Sequence, residues 1–322
     1  MPMDQAITFF TLPKGFDGET GIRQRAALHS WRAAVPASEI LVMGSENGLD
    51  EASREVLAMR VSDIARNAKG TPLVSDAFRR ASVEARNDLL CYINSDILLF
   101  GDFASAVAAA ARSTDGPFLL TGRRWNFDRT GDEANTGRDE ILRRGTRYDE
   151  FNMDYFVFRR DDFTELPAFA VGRPGWDNWL VYEARRRGIY VIDATEAIIA
   201  GHQNHDYTHT AEGREGGKSA LWSGAEASEN REMAGGHLFD LTDASHVLTE
   251  RLEVRPRRDF GHWWRRRTVA HKIYPRWSWL LRPLAAADGF LRRADHSMRL
   301  WLLRRGVDLF PHKEKRSGGA TA

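Results

Sequence analysis

A chain of 322 residues, 42% hydrophobic and 28% charged, can bury a sizeable core and lacks the compositional bias of collagen, general disorder or a disulfide scaffold. The lone cysteine, Cys91, excludes an intramolecular disulfide; set in an apolar run, it reads as a small buried hydrophobe compatible with a reducing compartment. The formal net charge of +1 conceals an asymmetry: of the 46 Lys and Arg, 18 lie from Arg251 onward, against 6 of the 45 Asp and Glu, a local +12 that leaves −11 for residues 1–250.

The first residues, MPMDQAITFFTLPKG, put Asp4 ahead of only a short apolar stretch, so they are not expected to be a signal peptide. No run of ~18 or more apolar residues predicts a spanning helix. AITFFT (6–11) predicts a first strand, stopped by Leu12-Pro13-Lys14-Gly15, and an amphipathic helix follows over about 20–35. EILVMG (39–44) reads as a strand, EASREVLAM (51–59) as a helix, and RVSDIARNAKGTP (60–72) as a short strand with a polar loop. A helix over about 74–85 leads into DLLCYIN (88–94), another strand. Such alternation argues a mostly parallel sheet covered by helices, in which ligands bind beyond the carboxyl ends of the strands. Asn94-Ser95-Asp96 stands at one of those ends.

Farther along, PFLLTGRRWNFD (117–128) predicts a strand before a polar loop through Arg138. MDYFVFRR (153–160) is a strand, and GWDNWLVYEARRRG (175–188) a helix with Gly188 as its stop. IYVIDAT (189–195) and EAIIAGHQNHD (196–206) are strand-like, and residues 211–236 read as a long loop with one helix. There is no internal repeat.

Three constellations carry chemistry. Asp96, at a strand end, reads either as a turn or helix cap or as an oxygen ligand to a divalent cation completed by substrate phosphates. Asp177 stands at a helix start between Trp176 and Trp179; it reads as an acid favoured by the helix dipole or as a general base beside flat rings that suit sugars. His202, His205 and His209 follow an apolar strand. Their spacing matches no closed zinc site, and one histidine completing an oxygen-rich Mg or Mn site is the better reading.

In this order, ARNAKGTPLVSDAFRRA, DLLCYINSDILL, GRRWNFD, DYFVFRRDDF, GRPGWDNWL and HQNHDYTH resemble nucleotide-sugar-dependent glycosyltransferases of the GT-A fold. More narrowly, they resemble a largely uncharacterised group of bacterial and plant members, over about residues 6–250. The resemblance implies an α/β/α sandwich over residues 1–254 and a metal-assisted transfer from a nucleoside diphosphate sugar to a glycan or lipid-linked acceptor. It places Asn94, Ser95 and Asp96 at the DxD motif, with Asn94 replacing the first acid, and makes Asp96 with His202 or His205 the Mn or Mg ligands. Asp177 becomes the catalytic carboxylate. Thr11, Pro13, Lys14, Asn67, Gly70 and Thr71 would line the nucleotide pocket; Arg123, Arg124, Trp125, Asp154 and Trp176 would face donor sugar or acceptor.

Residues 255–322 form a separate basic segment holding Trp263, Trp264, Trp277, Trp279 and Trp301. Within 255–316, Leu284, Leu291, Met298 and Trp301 or Leu302 recur at near-helical spacing among arginines, as in helices that lie on anionic membranes. Packing on a protein surface and nucleic-acid binding are the alternatives, the last disfavoured. The expected location is therefore cytoplasmic, peripheral to the membrane. Two rivals to the enzyme reading stand. A sugar-phosphate nucleotidyltransferase would carry a Gly-rich basic signature after strand one, which FFTLPKGFDG matches poorly. A catalytically silent nucleotide-sugar or glycan-binding protein is favoured by Asn94.

Overall fold

The computed structural model describes residues 6–128, 137–204 and 224–273, with residues 279, 283 and 286 beyond them. The chain forms two compact units, Met1–His262 and Trp263–Ala322.

Within the first unit, strands and helices alternate as the hydrophobic pattern requires: β1 (Ile7–Thr11), α1 (Gly18–Ala34), β2 (Glu39–Met43), α2 (Leu49–Glu55), β3 (Met59–Val61), α3 (Val74–Glu84) and β4 (Leu89–Ile93). β1 pairs in parallel with β2 on one side and with β4 on the other, and β2 pairs in parallel with β3. Every residue of β1 and β4 is buried, as expected of strands covered on both faces. Because the chain runs outward from β1 to β2 and β3 while β4 lies on the opposite side, the strand order reverses between β1 and β4. In open α/β sheets such a reversal is where a ligand crevice forms beyond the strands' carboxyl ends, and this end of β1 and β4 is that position. α2 ends earlier than its periodicity suggests, since Leu57 takes a left-handed φ of 54° and Met59 already belongs to β3.

The chain continues through β5 (Ile97–Leu98), α4 (Asp102–Arg112), β6 (Phe118–Thr121), β7 (Arg124–Phe127), α5 (Arg138–Arg144), β8 (Thr146–Arg147) and β9 (Tyr155–Arg159). Then come α6 (Trp176–Arg186), β10 (Tyr190–Asp193), β11 (Ala200–Gln203), α7 (Ala225–Met233), β12 (His246–Leu248) and β13 (Val254–Pro256). The main sheet has nine strands in the order β13-β12-β10-β6-β9-β4-β1-β2-β3, and a second sheet runs β5-β11-β7-β8. The class is α/β with a mostly parallel main sheet, interrupted by β9, which is antiparallel to both β4 and β6. The boundary expected after residue 254 falls inside β13, which pairs with β12 and so belongs to the first unit.

One single-strand expectation is corrected by the second sheet. PFLLTGRRWNFD splits into β6 and β7 in different sheets. The break is at Gly122, where an added Cβ would lie 2.4 Å from the Tyr155 hydroxyl, so the chain passes too close to β9 for any side chain. The strand expected over 88–94 is β4, which ends at Ile93; Asn94-Ser95-Asp96 turns, and β5 crosses to pair antiparallel with β11.

Beneath the crevice lies an aromatic cluster. Phe78 stacks on Phe158 at 5.2 Å and meets Phe10 edge-on at 5.1 Å, while Tyr92 meets Trp176 edge-on at 4.9 Å. Such contacts add ~0.5–1.5 kcal/mol per pair beyond burial, giving the strand ends a rigid floor.

In the second unit the described residues carry the later part of α8 (Phe260–Thr268) and α9 (Ala270–Ile273). Arg267 lies over the Trp263 ring at 3.7 Å, and Trp263 is exposed. No helix among the described residues is long and apolar enough to cross a membrane.

Candidate active site

Asp96 follows β4 at the crevice. The antiparallel pairing of β5 with β11 sets His202 opposite Ile97, one residue beyond Asp96, and brings His202 Nε2 to 3.6 Å from Asp96 Oδ2. Side-chain exposure is 24% for Asp96 and 7% for His202, so the carboxylate faces solvent while the ring is fixed by the sheet. One carboxylate oxygen and one imidazole nitrogen suit a hard cation that takes its remaining ligands from water and phosphate. No group of three or more His, Cys, Asp or Glu that could hold a metal occurs among the described residues. His205 and His209 lie outside the described residues.

Asp177 occupies the first turn of α6, introduced by Gly175 at a left-handed φ of 108°. The residue as a whole is partly exposed, but its Oδ1 is buried and the carboxyl lies deep among surrounding atoms. Desolvation raises its pKa from 3.8 to about 7; the charge of Asp154 adds to the rise, and the backbone amides of Asn178, Asp177 and Gly175 oppose it. Asp177 Oδ1 has no hydrogen-bond partner among the described residues. A carboxylate so placed can take a proton near neutral pH. Burial, and then the charges of Asp154, Asp96 and Asp177, raise the Tyr92 hydroxyl above its ordinary range, so all three acids act on one side chain at the end of β4.

The β1 side of the crevice is held by Gln24, which sequence reasoning missed. Its Oε1 accepts from the Lys14 amide at 2.8 Å and from Ser95 Oγ at 2.8 Å, while its Nε2 donates to the Lys14 carbonyl at 3.0 Å. Gln24 thus ties the loop after β1 to the loop after β4. A signal existed: with Gly21, Ala27, Leu28 and Trp31 it lies on the buried face of α1, where a polar residue is out of place unless it has work to do. Thr11 Oγ1 is buried at the end of β1 with no partner among the described residues, and Pro13 is buried beside Lys14. Burial lowers the Lys14 pKa; Arg23 and Arg173 lower it further and Asp96 opposes them, so three cations and one acid share this side.

Several residues expected at the ligand are occupied elsewhere. Asp154 is buried: both its oxygens lie 3.0 Å from Arg124 Nη1, and Oδ1 also accepts from Asn94 Nδ2 at 2.8 Å. The expectation that Asp154 and Arg124 face a sugar is corrected; they form an internal ion pair. Trp176 is 5% exposed and packs against Tyr92, Phe156 and Phe78, so it is part of the core instead of a platform for a sugar ring. Trp125 projects from β7 on the face opposite Arg124 and packs, half-buried, against the hydrophobic core, with Arg147 over its ring at 5.2 Å. Arg123 is paired with Glu150 at 2.8 Å and with the Tyr148 carbonyl.

The loop 67–71 also closes on itself. Asn67 Oδ1 accepts from the amides of Lys69 and Thr71, its Nδ2 donates to Glu226 Oε1 at 2.7 Å, and the Gly70 amide donates to the Asn67 carbonyl at 2.9 Å. The Asn67 side chain and the Gly70 and Thr71 amides expected to line the nucleotide pocket therefore serve the turn. Glu226, buried on α7, also pairs with Arg173 at 2.6 Å, and this anchoring helix came from a segment with weak periodicity.

No protein-family model and no curated protein matches the chain. Among solved structures the likeness is to glycosyltransferases. Glucosyl-3-phosphoglycerate synthase from Mycobacterium tuberculosis, solved with Mg2+ and uridine diphosphate, aligns over 68% of this chain and 79% of its own at 16% identity, with a TM-score of 0.41. Mannosyltransferase PcManGT from Pyrobaculum calidifontis, solved with GDP-Man and Mn2+, aligns over 61% of this chain and 56% of its own at 13% identity, also with a TM-score of 0.41.

Proposed function

We propose that this chain is a GT-A glycosyltransferase that moves a sugar from a nucleoside diphosphate sugar to a hydroxyl of a glycan or lipid-linked acceptor. The carrying observation is that Asp96 with His202, and Asp177 with its raised proton affinity, meet around Tyr92 at the crevice between β1 and β4. Asp96 and His202 would hold Mg or Mn, which offsets the charge developing on the leaving diphosphate. Lys14, with Arg23 and Arg173 nearby, offers positive charge to the same group. Asp177 takes the proton of the acceptor hydroxyl; the acceptor oxygen bonds to the anomeric carbon, and the electrons of the breaking bond leave with the diphosphate. Attack from the face opposite the leaving group inverts the anomeric centre.

The test is a thermal-shift screen of nucleoside diphosphate sugars with and without Mn or Mg, followed by a transfer or donor-hydrolysis assay on the best binder. A ligand that binds the native state raises stability by mass action, so a metal-dependent rise in Tm is expected. No donor raising Tm, or full activity in both Asp96→Ala and Asp177→Asn, sinks the reading.

The basic C-terminal segment supports a second element of this reading, peripheral attachment to an anionic membrane from the cytoplasmic side, as expected for surface polysaccharide or glycoconjugate synthesis. Exposed Trp263 and the run Arg265-Arg266-Arg267 on α8 are the chemistry that favours it. Flotation with anionic vesicles should carry the full chain and leave a chain ending at His262 behind; equal flotation refutes the attachment.

A further inference from the structure

Asn94 stands where the resemblance places an acid, and its contacts explain the amide. Its Nδ2 donates to Asp154 Oδ1 at 2.8 Å, its backbone N–H donates to the Asp154 carbonyl at 2.9 Å, and its Oδ1 accepts from the Tyr92 hydroxyl at 3.3 Å. Asp154 is closed from the other side by Arg124, whose Nε donates to Asn126 Oδ1 at 2.9 Å. The side chains of Arg124 and Asp154 are 9% and 7% exposed. An acid at position 94 would set a second carboxylate within hydrogen-bonding distance of Asp154, with little water to screen them, and two carboxylates sharing a site resist joint ionisation. An alanine would leave Asp154 with Arg124 as its side-chain donor and would remove the oxygen that accepts from the Tyr92 hydroxyl. Only an amide of this length donates to one and accepts from the other.

We propose that Asn94 is a positioning residue: it clamps the buried Asp154 carboxylate across the β4–β9 pair and thereby fixes the negative charge that faces Asp177. The position at which the resemblance expects the first acid of a DxD motif is a strut here, and the buried acid it holds stands immediately before β9. The catalytic side of this inference rests on Asp177 as the base. Asp177 faces the Asp154 charge, the neutral Tyr92 hydroxyl and the backbone amides of Gly175, Asp177 and Asn178, and of these the Asp154 charge favours the protonated form.

The experiment exchanges the two groups. Asn94→Asp, Asp154→Asn and the double variant Asn94→Asp/Asp154→Asn are compared with wild type in thermal melts without substrate, and the Asp177 carboxyl is titrated by carbon NMR. Asn94→Asp should melt several degrees lower, and the double variant, with carboxylate and amide again facing each other, should recover more than half of that loss. Asp154→Asn should move the Asp177 titration to lower pH. If Arg124 left alone prevents that variant from folding, Arg124→Gln/Asp154→Asn supplies the same reading. An Asn94→Asp protein as stable as wild type, a double variant no better than the single, or an unmoved Asp177 titration each overturns the proposal. None of these readouts uses a sugar donor, so a wild type that binds no donor sinks the proposed reaction and leaves the strut to stand or fall by itself.

Discussion

Two side-chain pairs share the end of the sheet and differ in their spacing and in the exposure of their acids. Arg124 and Asp154 meet at 3.0 Å with both side chains under a tenth exposed, and Asn94 and Asn126 occupy further hydrogen-bonding positions around them. Asp96 and His202 stand 3.6 Å apart, beyond hydrogen-bonding distance, and a quarter of the Asp96 side chain meets solvent. A buried pair survives only if its partners satisfy it, because the desolvation of each charge is large; a looser, wetter pair can exchange water for a ligand. In the proposed enzyme that difference would separate a structural pair from one that receives a metal ion.

Variants can break that separation. In the proposed enzyme Asp177→Asn, which removes the base, should lower transfer by ~100- to 10,000-fold with the fold intact, measured as initial rate against the circular dichroism spectrum. It should also change stability with a definite sign. Folding raises this carboxyl from 3.8 to about 7, so between those values the unfolded chain has already lost a proton that the folded chain still holds. Wild type is therefore penalised progressively from about pH 4 to pH 7 and fully above it, and the asparagine variant should be more stable by ~2–4 kcal/mol at pH 8 and little changed at pH 4 in urea titrations.

Arg124→Ala leaves the Asp154 charge buried without its cation and should cost ~3–5 kcal/mol of folding free energy by urea unfolding; a loss below ~1 kcal/mol would mean the closed pair is not closed. In the proposed enzyme His202→Ala should raise the metal concentration for half-maximal activity roughly tenfold or more, and because its ring is buried in β11 it should also cost ~1–3 kcal/mol of stability. In the proposed enzyme, transfer should rise with pH through about 7 and then level, as Asp177 loses its proton. The smallest effect belongs to the exposed pair Lys69–Glu229, where Lys69→Ala should cost under ~1 kcal/mol and even less in high salt.

The residues that proved legible in the sequence are those whose role is local. The strands β1, β2 and β4, the helices α1, α3 and α6, and the strand-end position of Asp96 follow from hydrophobic period and turn residues, because each depends on neighbours a few positions away. Asp177 at a helix start was legible for the same reason. Gln24 and Glu226 were not, since each joins elements distant in the chain: Gln24 reaches Ser95, and Glu226 reaches Asn67 and Arg173.

The sequence alone determined that an acid would stand beyond β4, that a second would open α6, and that a histidine would follow a late strand, because alternation and capping are written in adjacent residues. Only the tertiary structure decided which of them would stay reachable. The second sheet, made possible where Gly122 lets the chain pass β9 and where Asn94-Ser95-Asp96 turns, carries β11 to β5 and sets His202 beside Asp96. The antiparallel β9 brings Asp154 beneath Asn94 and Arg124. Aromatic residues that read as sugar platforms were drawn inward by the same packing, since Trp176 gains more from Tyr92, Phe156 and Phe78 than it would from water.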